Sequence, residues 1–199
     1  MPKTCRKNIY LNDSDEPLAR LDFKAMHPRL AYHLKGIAYY DDPYIINGYG
    51  KEYRDIFKKV ALIAFNAEDE RSAIIAICKK MKEENIDKSS YKEVKKLLAD
   101  FRRQHHEIDS FITSDFGIKA MYYDANIISD CLSELLIKKG VFILTVHDEI
   151  LCERKNIDEV EKQMKMSYRK VLKKALIERK VIGKDQALPD DLQALIDIE

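Results

Sequence analysis

The feature that most constrains the fold is a strand–turn–strand pattern that follows a helical pattern ending at Gly140. Residues 141–146 form an apolar run rich in β-branched side chains, which is typical of a buried strand. Residues 149–153 are typical of its return strand, so His147 and Asp148 between the two strands are predicted to lie at or near a hairpin turn. A chain with this hairpin must build a sheet, although most of its other patterns are helical.

A second sheet element is predicted near the start of the chain, over residues 18–23, where a short alternating run follows Pro17. A helical pattern comes next and ends at Gly36. Residues 39–50 then form a loop rich in Asp, Pro, Gly and Tyr. Strands at both ends of a mainly helical chain predict an α+β fold, with a small antiparallel sheet backed by helices.

Helical patterns fill most of the middle of the chain, from Lys51 onward. Ser90 opens one of these helices with a capping-box pattern, and this helix is expected to run towards Phe111. Another helix is predicted over about residues 118–139. We expect three regions: residues 1–50 with the first strand, a helical region over 51–112, and residues 113–199 with the hairpin.

One more helix is predicted after the hairpin, beginning near Asn156 and running to about Lys180. The tail after Gly183 carries no strong pattern, and we expect it to be loosely packed.

The overall charge is nearly balanced, with 35 Lys and Arg against 34 Asp and Glu and a net charge of +1. Proteins that grip a long duplex usually carry a basic surplus, so this balance argues mildly against that activity in the chain alone. It leaves room for a local basic groove beside an acidic site.

No apolar stretch approaches the roughly 18 residues that a membrane helix needs. The first residues lack the apolar centre of a signal peptide. The cysteines have neither CxxC nor metal-ligand spacing, which favours reduced thiols over a disulfide framework. We therefore expect a cytoplasmic protein without a membrane partner. The cysteines are Cys5, Cys78, Cys131 and Cys152.

Two aspartates lie at predicted strand ends, Asp22 in the first strand and Asp148 at the hairpin turn, with Glu149 beside it. Carboxylates held rigidly by strands can bind a pair of divalent cations about 3.5–4 Å apart, as in phosphoryl and nucleotidyl transfer. Mg²⁺ suits such ligands, because it prefers hard oxygen donors and keeps positions for water and phosphate. The alternative is that each aspartate forms a turn or caps a helix.

Two cations, Arg54 and Lys58, lie four residues apart and so share one face of a predicted helix. Together they can clamp a triphosphate, and the arginine can do so with two parallel hydrogen bonds. The alternative is a solvated charged face. Its other members would be Lys51, Glu52, Asp55 and Lys59.

Three segments in this order resemble the signature motifs of family A DNA polymerases, the bacterial DNA polymerase I type. Residues 21–29 resemble the first motif, D-Y-S-Q-I-E-L-R, in which Asp22 matches the metal-binding aspartate and Arg29 the closing arginine. Arg54 and Lys58 keep the R-x-x-x-K spacing of the second motif. Residues 145–150 resemble the V-H-D-E hairpin of the third motif.

The resemblance implies a palm sheet, split between the first and last regions, and a helical fingers-like region between them. It implies that Asp22 and Asp148 bind two Mg²⁺ ions, with Mn²⁺ as an alternative, and that Glu149 assists. Arg54 and Lys58 would then hold the triphosphate of a dNTP.

The resemblance also implies nucleic-acid contacts. His147 and Arg29 would approach the primer–template backbone, and Asn126, or Asp124 beside it, would contact the template strand. The implied partners are a DNA primer–template and a dNTP.

The sequence departs from the family at two nucleotide-binding positions. His27 stands where the family has a glutamate that screens the ribose 2′ position, and Leu62 stands where it has an aromatic residue. Phosphate contacts survive these changes, whereas the sugar and base are held less firmly.

The chain opens shortly before its first motif, so we expect it to lack a thumb and an exonuclease. Three alternatives follow: another chain supplies these functions as a partner, the activity is short-range, or the protein has decayed. The predicted function is a template-directed, DNA polymerase-like nucleotidyltransferase. The alternative is a catalytically weakened palm scaffold that acts as a nucleic-acid-binding or replication-complex module. A metal-dependent nuclease on the same carboxylates has no motif to support it.

Overall fold

Two strands that lie far apart in the sequence form the centre of a small antiparallel sheet. β1 is Ala19–Phe23, and it pairs with β3, Glu149–Cys152. β2, Ile143–Val146, pairs with the other edge of β3 and completes the predicted hairpin. β4, Ile196–Ile198, pairs with β1, so the strand order is β2-β3-β1-β4. The predicted α+β class and antiparallel sheet are confirmed.

The computed structural model describes residues 3–6, 8–11, 15–87, 89–179, 187–189, 191 and 196–198. The chain forms two compact units. Met1–Met26 and Tyr123–Glu199 make one, here called the sheet unit, and His27–Tyr122 make the other, called the helical unit. The boundaries predicted at residues 51 and 113 remain predictions; the structure groups the loop at 39–50 with the helices that follow it.

One face of the sheet is apolar and packs on the last long helix, α7, Ile157–Glu178. Leu21, Phe23 and Ile150 are buried on this face, and the Phe23 ring lies 5.7 Å from the ring of Tyr168 on α7. Because side chains alternate along a strand, the neighbouring residues face the other side. Arg20, Asp22 and Glu149 therefore share the opposite face of the sheet.

The hairpin turn has two residues, because Val146 pairs with Glu149 across it. His147 at the turn has a φ of 57°, in the left-handed region that non-glycine residues seldom occupy. Turns of this length need such backbone angles to match the twist of the strands. The turn places Asp148 directly at the start of β3.

The helix before the hairpin is α6, Phe116–Leu132, which continues as a π-helical segment, Ser133–Lys138. It ends before Gly140, whose φ of 66° suits glycine. The predicted helix over residues 118–139 is confirmed. Its residues from Tyr123 onward belong to the sheet unit.

The helical unit is built mainly from four helices of the described chain, connected by short turns and by the loop at 39–50. Asp69 and Ser90 each form a complete capping box at the start of a helix, so the predicted cap at Ser90 is confirmed. The helices are α2, Met26–His33; α3, Arg54–Asn66; α4, Glu70–Glu83; and α5, Tyr91–Gln104. A short α1, Lys3–Arg6, precedes the sheet.

The predicted extension of α5 to Phe111 is wrong. The helix ends at Gln104, and the 3₁₀ segment His106–Phe111 follows. His105 between them is fully buried, and its ring bonds to the Tyr32 hydroxyl and the Pro43 carbonyl. These two bonds hold the chain out of the helical path.

The expectation of a loosely packed tail is wrong for the part of the tail that the structure describes. Ile196 lies in β4 and is 7% exposed, and Asp191 is 2% exposed. The last long helix ends at Glu178; Lys180 and Gly183, where the sequence placed its end and the tail, lie outside the described residues.

Across the described residues, no helix combines the length and apolar character that a membrane crossing requires.

Candidate functional site

The two predicted metal ligands lie at one end of the central strand pair. Asp22 on β1 is the Cα partner of Glu149 on β3, and Asp148 immediately precedes Glu149. Directly opposite residues in an antiparallel pair face the same side of the sheet. Both aspartates are half-buried. The fold therefore brings the backbone at Asp22 and at Asp148 to the same end of the sheet, although 125 residues separate them in the sequence.

A third carboxylate, Asp124 on α6, is coupled to this pair. Its Oδ1 atom is buried and has no hydrogen-bond partner among the described residues. Burial, followed by the charge of Asp148 and more weakly that of Asp22, raises the pKa of Asp124 to about 6, while His147 opposes the shift. Asp124 is therefore within electrostatic range of both Asp148 and Asp22 in the sheet unit.

Such a group of like charges is unfavourable by itself and is relieved by a cation. Mg²⁺ is commonly held by one or two carboxylates, with water and substrate phosphate as its other ligands. In the described part of the chain, no three His, Cys, Asp or Glu side chains converge closely enough to form a complete metal site. The three aspartates thus favour a cation because of their negative charge and because Oδ1 of Asp124 lacks a hydrogen-bond partner among the described residues. They do not form a complete set of metal ligands in the described structure.

Glu149, predicted to assist catalysis, has structural partners. It is 2% exposed; its Oε2 accepts a 2.6 Å hydrogen bond from Arg20, and its Oε1 accepts one of 3.2 Å from Arg6. Burial raises the pKa of Glu149, but the guanidinium groups of Arg20 and Arg6 outweigh this effect, and the net pKa is lowered. The carboxylate stays ionised and ties β1 and α1 to β3. Its assisting role in catalysis remains a prediction.

Sequence reasoning missed Asp197, which is the Cα partner of Asp22 on β4. Its carboxylate lies 2.8 Å from the ammonium group of Lys24. Two acidic residues therefore flank Asp22 across the sheet, one on each neighbouring strand. No local signal predicts this, because the pairing joins the start of the chain to its end.

The other two predicted contacts of the sheet unit, His147 and Asn126, lie on the turn and on α6. His147 is exposed, whereas Asn126 is half-buried. Their proposed contacts with the primer and the template stay predictions.

Arg54, Lys58 and Leu62 lie on α3 in the helical unit and follow one another at intervals of one turn. Lys58 is exposed, and Leu62 is 58% exposed. The adjoining side of α3, which includes Phe57 and Phe65, is buried. This face therefore presents two cations and one apolar side chain to solvent.

Arg29 and His27, which the resemblance assigns to nucleic acid and nucleotide, lie in α2. Arg29 is 4% exposed, and its guanidinium donates hydrogen bonds to the carbonyls of Tyr39, at 2.5 Å, and Asp41, at 3.4 Å. His27 is half-buried. In this structure Arg29 orders the loop after α2, and its contact with nucleic acid stays a prediction.

The tyrosine-rich loop packs against the helical unit. Tyr39 stacks on Tyr32 with ring centroids 4.2 Å apart. Tyr32 donates a hydrogen bond of 2.8 Å to Nδ1 of His105, and Nε2 of His105 is 2.9 Å from the Pro43 carbonyl. Burial lowers the pKa of His105 to about 4, against the opposing effect of the Pro43 carbonyl. His105 is therefore a neutral core residue at physiological pH.

The chain matches no protein-family model and no curated protein sequence. The resemblance to family A polymerases thus depends on the motif residues themselves.

Proposed function

We propose that this protein is a template-directed DNA polymerase-like nucleotidyltransferase that uses two-metal-ion chemistry on dNTPs. The observation that supports it most is the pairing of β1 with β3, which brings Asp22 to the end of the sheet where Asp148 precedes β3. The raised pKa of Asp124, due to burial and to the charges of Asp148 and Asp22, agrees with it. The order of the three motifs along the chain supports it independently.

Asp22 and Asp148 are the proposed ligands of two Mg²⁺ ions, with Mn²⁺ as an alternative, and Asp124 adds to the local negative charge. When bound, the ions would favour deprotonation of the primer 3′-hydroxyl and stabilise the leaving pyrophosphate.

The chain's own residues contribute by holding their positions. Pairing between β1 and β3 fixes Asp22 relative to the turn, and the Arg20–Glu149 ion pair reinforces that pairing. Arg54 and Lys58 would bind the triphosphate of the incoming nucleotide. Positioning and charge neutralisation supply most of the catalysis in such reactions, and no protein base is required.

The alternative is a palm scaffold that binds nucleic acid without efficient catalysis. Two observations favour it: Leu62 takes the place of the expected aromatic residue, and Arg54 is already paired with Asp42 at 2.6 Å. Both weaken nucleotide positioning while leaving the sheet intact.

Extension of a labelled primer on a short DNA template, with Mg²⁺ or Mn²⁺ and with dNTPs or rNTPs, tests the proposal. Asp148→Asn is expected to lower the rate by roughly a hundredfold or more, because a metal ligand is lost. Asp158→Asn, which makes the same charge change at an exposed residue of α7, should leave the rate unchanged. The ratio of dNTP to rNTP use reports on His27.

Absence of extension with every nucleotide and metal would overturn the polymerase proposal. Retained binding of the duplex would then favour the scaffold. Loss of both extension and duplex binding would favour a role that needs a partner chain.

A further inference from the structure

The guanidinium of Arg54 is occupied by a carboxylate from its own chain. Nε of Arg54 donates a 2.6 Å hydrogen bond to Oδ2 of Asp42, in the loop that precedes α3. A second carboxylate, that of Asp55, lies 3.7 Å from Nη1. The cation that the sequence assigns to a phosphate thus already has two anionic neighbours.

Contacts of its own carboxylate and of the neighbouring residues hold Asp42 in place. Its Oδ1 accepts a 2.9 Å hydrogen bond from the backbone N–H of Tyr44. The ring of Tyr44 is largely buried and lies 5.5 Å from the Arg54 guanidinium. The carbonyl of Pro43 lies 2.9 Å from the buried His105 ring. The loop is therefore anchored to the core of the helical unit, and its carboxylate is presented to Arg54.

The pair is nevertheless accessible to a competitor. The Arg54 and Asp42 side chains are 42% and 35% exposed, and ion pairs that reach solvent contribute little net free energy. The hydrogen bond that Arg54 donates to Asp42 is the largest cause of the raised pKa of Arg54, so the guanidinium stays charged. A polyphosphate offers several charged oxygens and can bind an arginine through two parallel hydrogen bonds. Lys58, one turn further along α3, is exposed and adds a second cation.

We infer that Asp42 is an internal competitor that occupies Arg54 in place of a phosphate group, so that a polyphosphate must displace it in order to bind at Arg54 and Lys58. The contact is autoinhibitory: it sets the concentration at which the anionic ligand engages α3. Identifying this ligand as the triphosphate of a nucleotide rests on the proposed function.

Binding of inorganic triphosphate, measured by titration calorimetry without metal, tests this inference. Asp42→Asn removes the charge and the acceptor for Arg54 and keeps the Oδ1 acceptor for the Tyr44 N–H. This variant should bind triphosphate about twofold to fivefold more tightly than the wild type, because the competing charge is gone. Arg54→Gln in the Asp42→Asn background should abolish the gain.

Asp41→Asn is the matched control, because Asp41 is exposed and carries the same charge one residue away. It should change the affinity far less than Asp42→Asn. Unchanged or weaker binding by Asp42→Asn, an equal gain in Asp41→Asn, or no triphosphate binding by any variant would each overturn the inference.

These outcomes are distinct from those of the primer-extension test. Tighter triphosphate binding by Asp42→Asn without any primer extension would support the competition of Asp42 for Arg54 and would contradict the polymerase proposal. Primer extension that depends on Asp148, with the same triphosphate affinity in wild type and Asp42→Asn, would contradict the competition of Asp42 for Arg54 and would support the polymerase proposal.

Discussion

The two compact units differ in whether their key charged side chains have partners of opposite charge. In the sheet unit, burial and the charges of Asp148 and Asp22 raise the pKa of Asp124, and one oxygen of Asp124 is buried without a hydrogen-bond partner among the described residues. In the helical unit, three arginines have carboxylate partners: Arg54 lies 2.6 Å from Asp42, Arg102 lies 2.6 Å from Asp109, and Arg103 lies 2.7 Å from Asp100. We therefore expect the sheet unit to gain free energy by binding a cation, whereas an anion that binds at one of these arginines must compete with an existing partner.

The same contrast exists within the sheet unit. Glu149 is more deeply buried than Asp124, yet two arginines hold its pKa below the ordinary value, while that of Asp124 is raised to about 6. Burial alone does not make an acidic residue a candidate metal ligand. A buried carboxylate becomes a candidate when it lacks a positively charged partner that offsets its charge.

Breaking the buried ion pair between Glu149 and Arg20 should have the largest effect on stability. Glu149→Gln removes a carboxylate that pairs with the buried Arg20 guanidinium, and breaking a buried ion pair typically costs about 3–5 kcal/mol. The free energy of unfolding in urea measures this loss. Glu153→Gln, at an ion pair with the exposed Lys155, should cost only about 0–1 kcal/mol. Equal costs in the two variants would show that the buried pair does not stabilise the sheet.

A pH titration tests the neutral buried group of the helical unit. The pKa of His105 is about 4 in the folded state, against about 6.5 in an unfolded chain. The unfolded state therefore binds the proton first, so stability is fully present above pH 6.5 and falls as the pH drops towards 4, by about 3 kcal/mol in total.

His105→Gln removes the titrating group, so the difference in unfolding free energy between wild type and variant should shrink as the pH falls from 6.5 to 4. A difference that is independent of pH would contradict the assignment of a neutral, buried His105.

Removing the uncompensated charge should stabilise the protein. Asp124→Asn eliminates the repulsion from Asp148 and Asp22, and we expect a gain of roughly 1–3 kcal/mol at neutral pH without divalent cations. Mg²⁺ should stabilise the wild type more than the variant and so narrow this gain. Asp130→Asn on the same helix should lower the stability, because Asp130 accepts a 2.8 Å hydrogen bond from Ser167 and pairs with Lys170. A destabilised Asp124→Asn, or a gain that Mg²⁺ leaves unchanged, would count against the cation site.

A local cap in the helical unit should have the smallest effect. Ser90→Ala removes the capping box of α5, which typically costs about 1 kcal/mol, and should leave any response to Mg²⁺ unaltered. Ser129→Ala, at an exposed position inside α6, should be close to neutral or slightly stabilising. If Ser90→Ala abolished the effect of Mg²⁺ on stability, that effect would not belong to the sheet unit alone.

The sequence predicted the elements that depend on neighbouring residues. The capping box at Ser90 needs only four consecutive residues, and the two-residue turn at His147 follows from the runs on either side of it. The end of α5 was missed because it depends on Tyr32 and Pro43, which His105 meets only in the folded chain.

What the sequence determined by itself is the α+β character, the hairpin, the helix starts and the pair of aspartates at strand ends. The tertiary structure alone decided which charges have partners. Arg20 and Arg6 reach Glu149 from 129 and 143 residues away, and Asp124 meets the other two aspartates only because of how α6 packs in the sheet unit. Periodicity shows which face of an element is buried, because that depends on local spacing. It cannot show which distant side chain that face meets, because this is set by the packing of the whole unit.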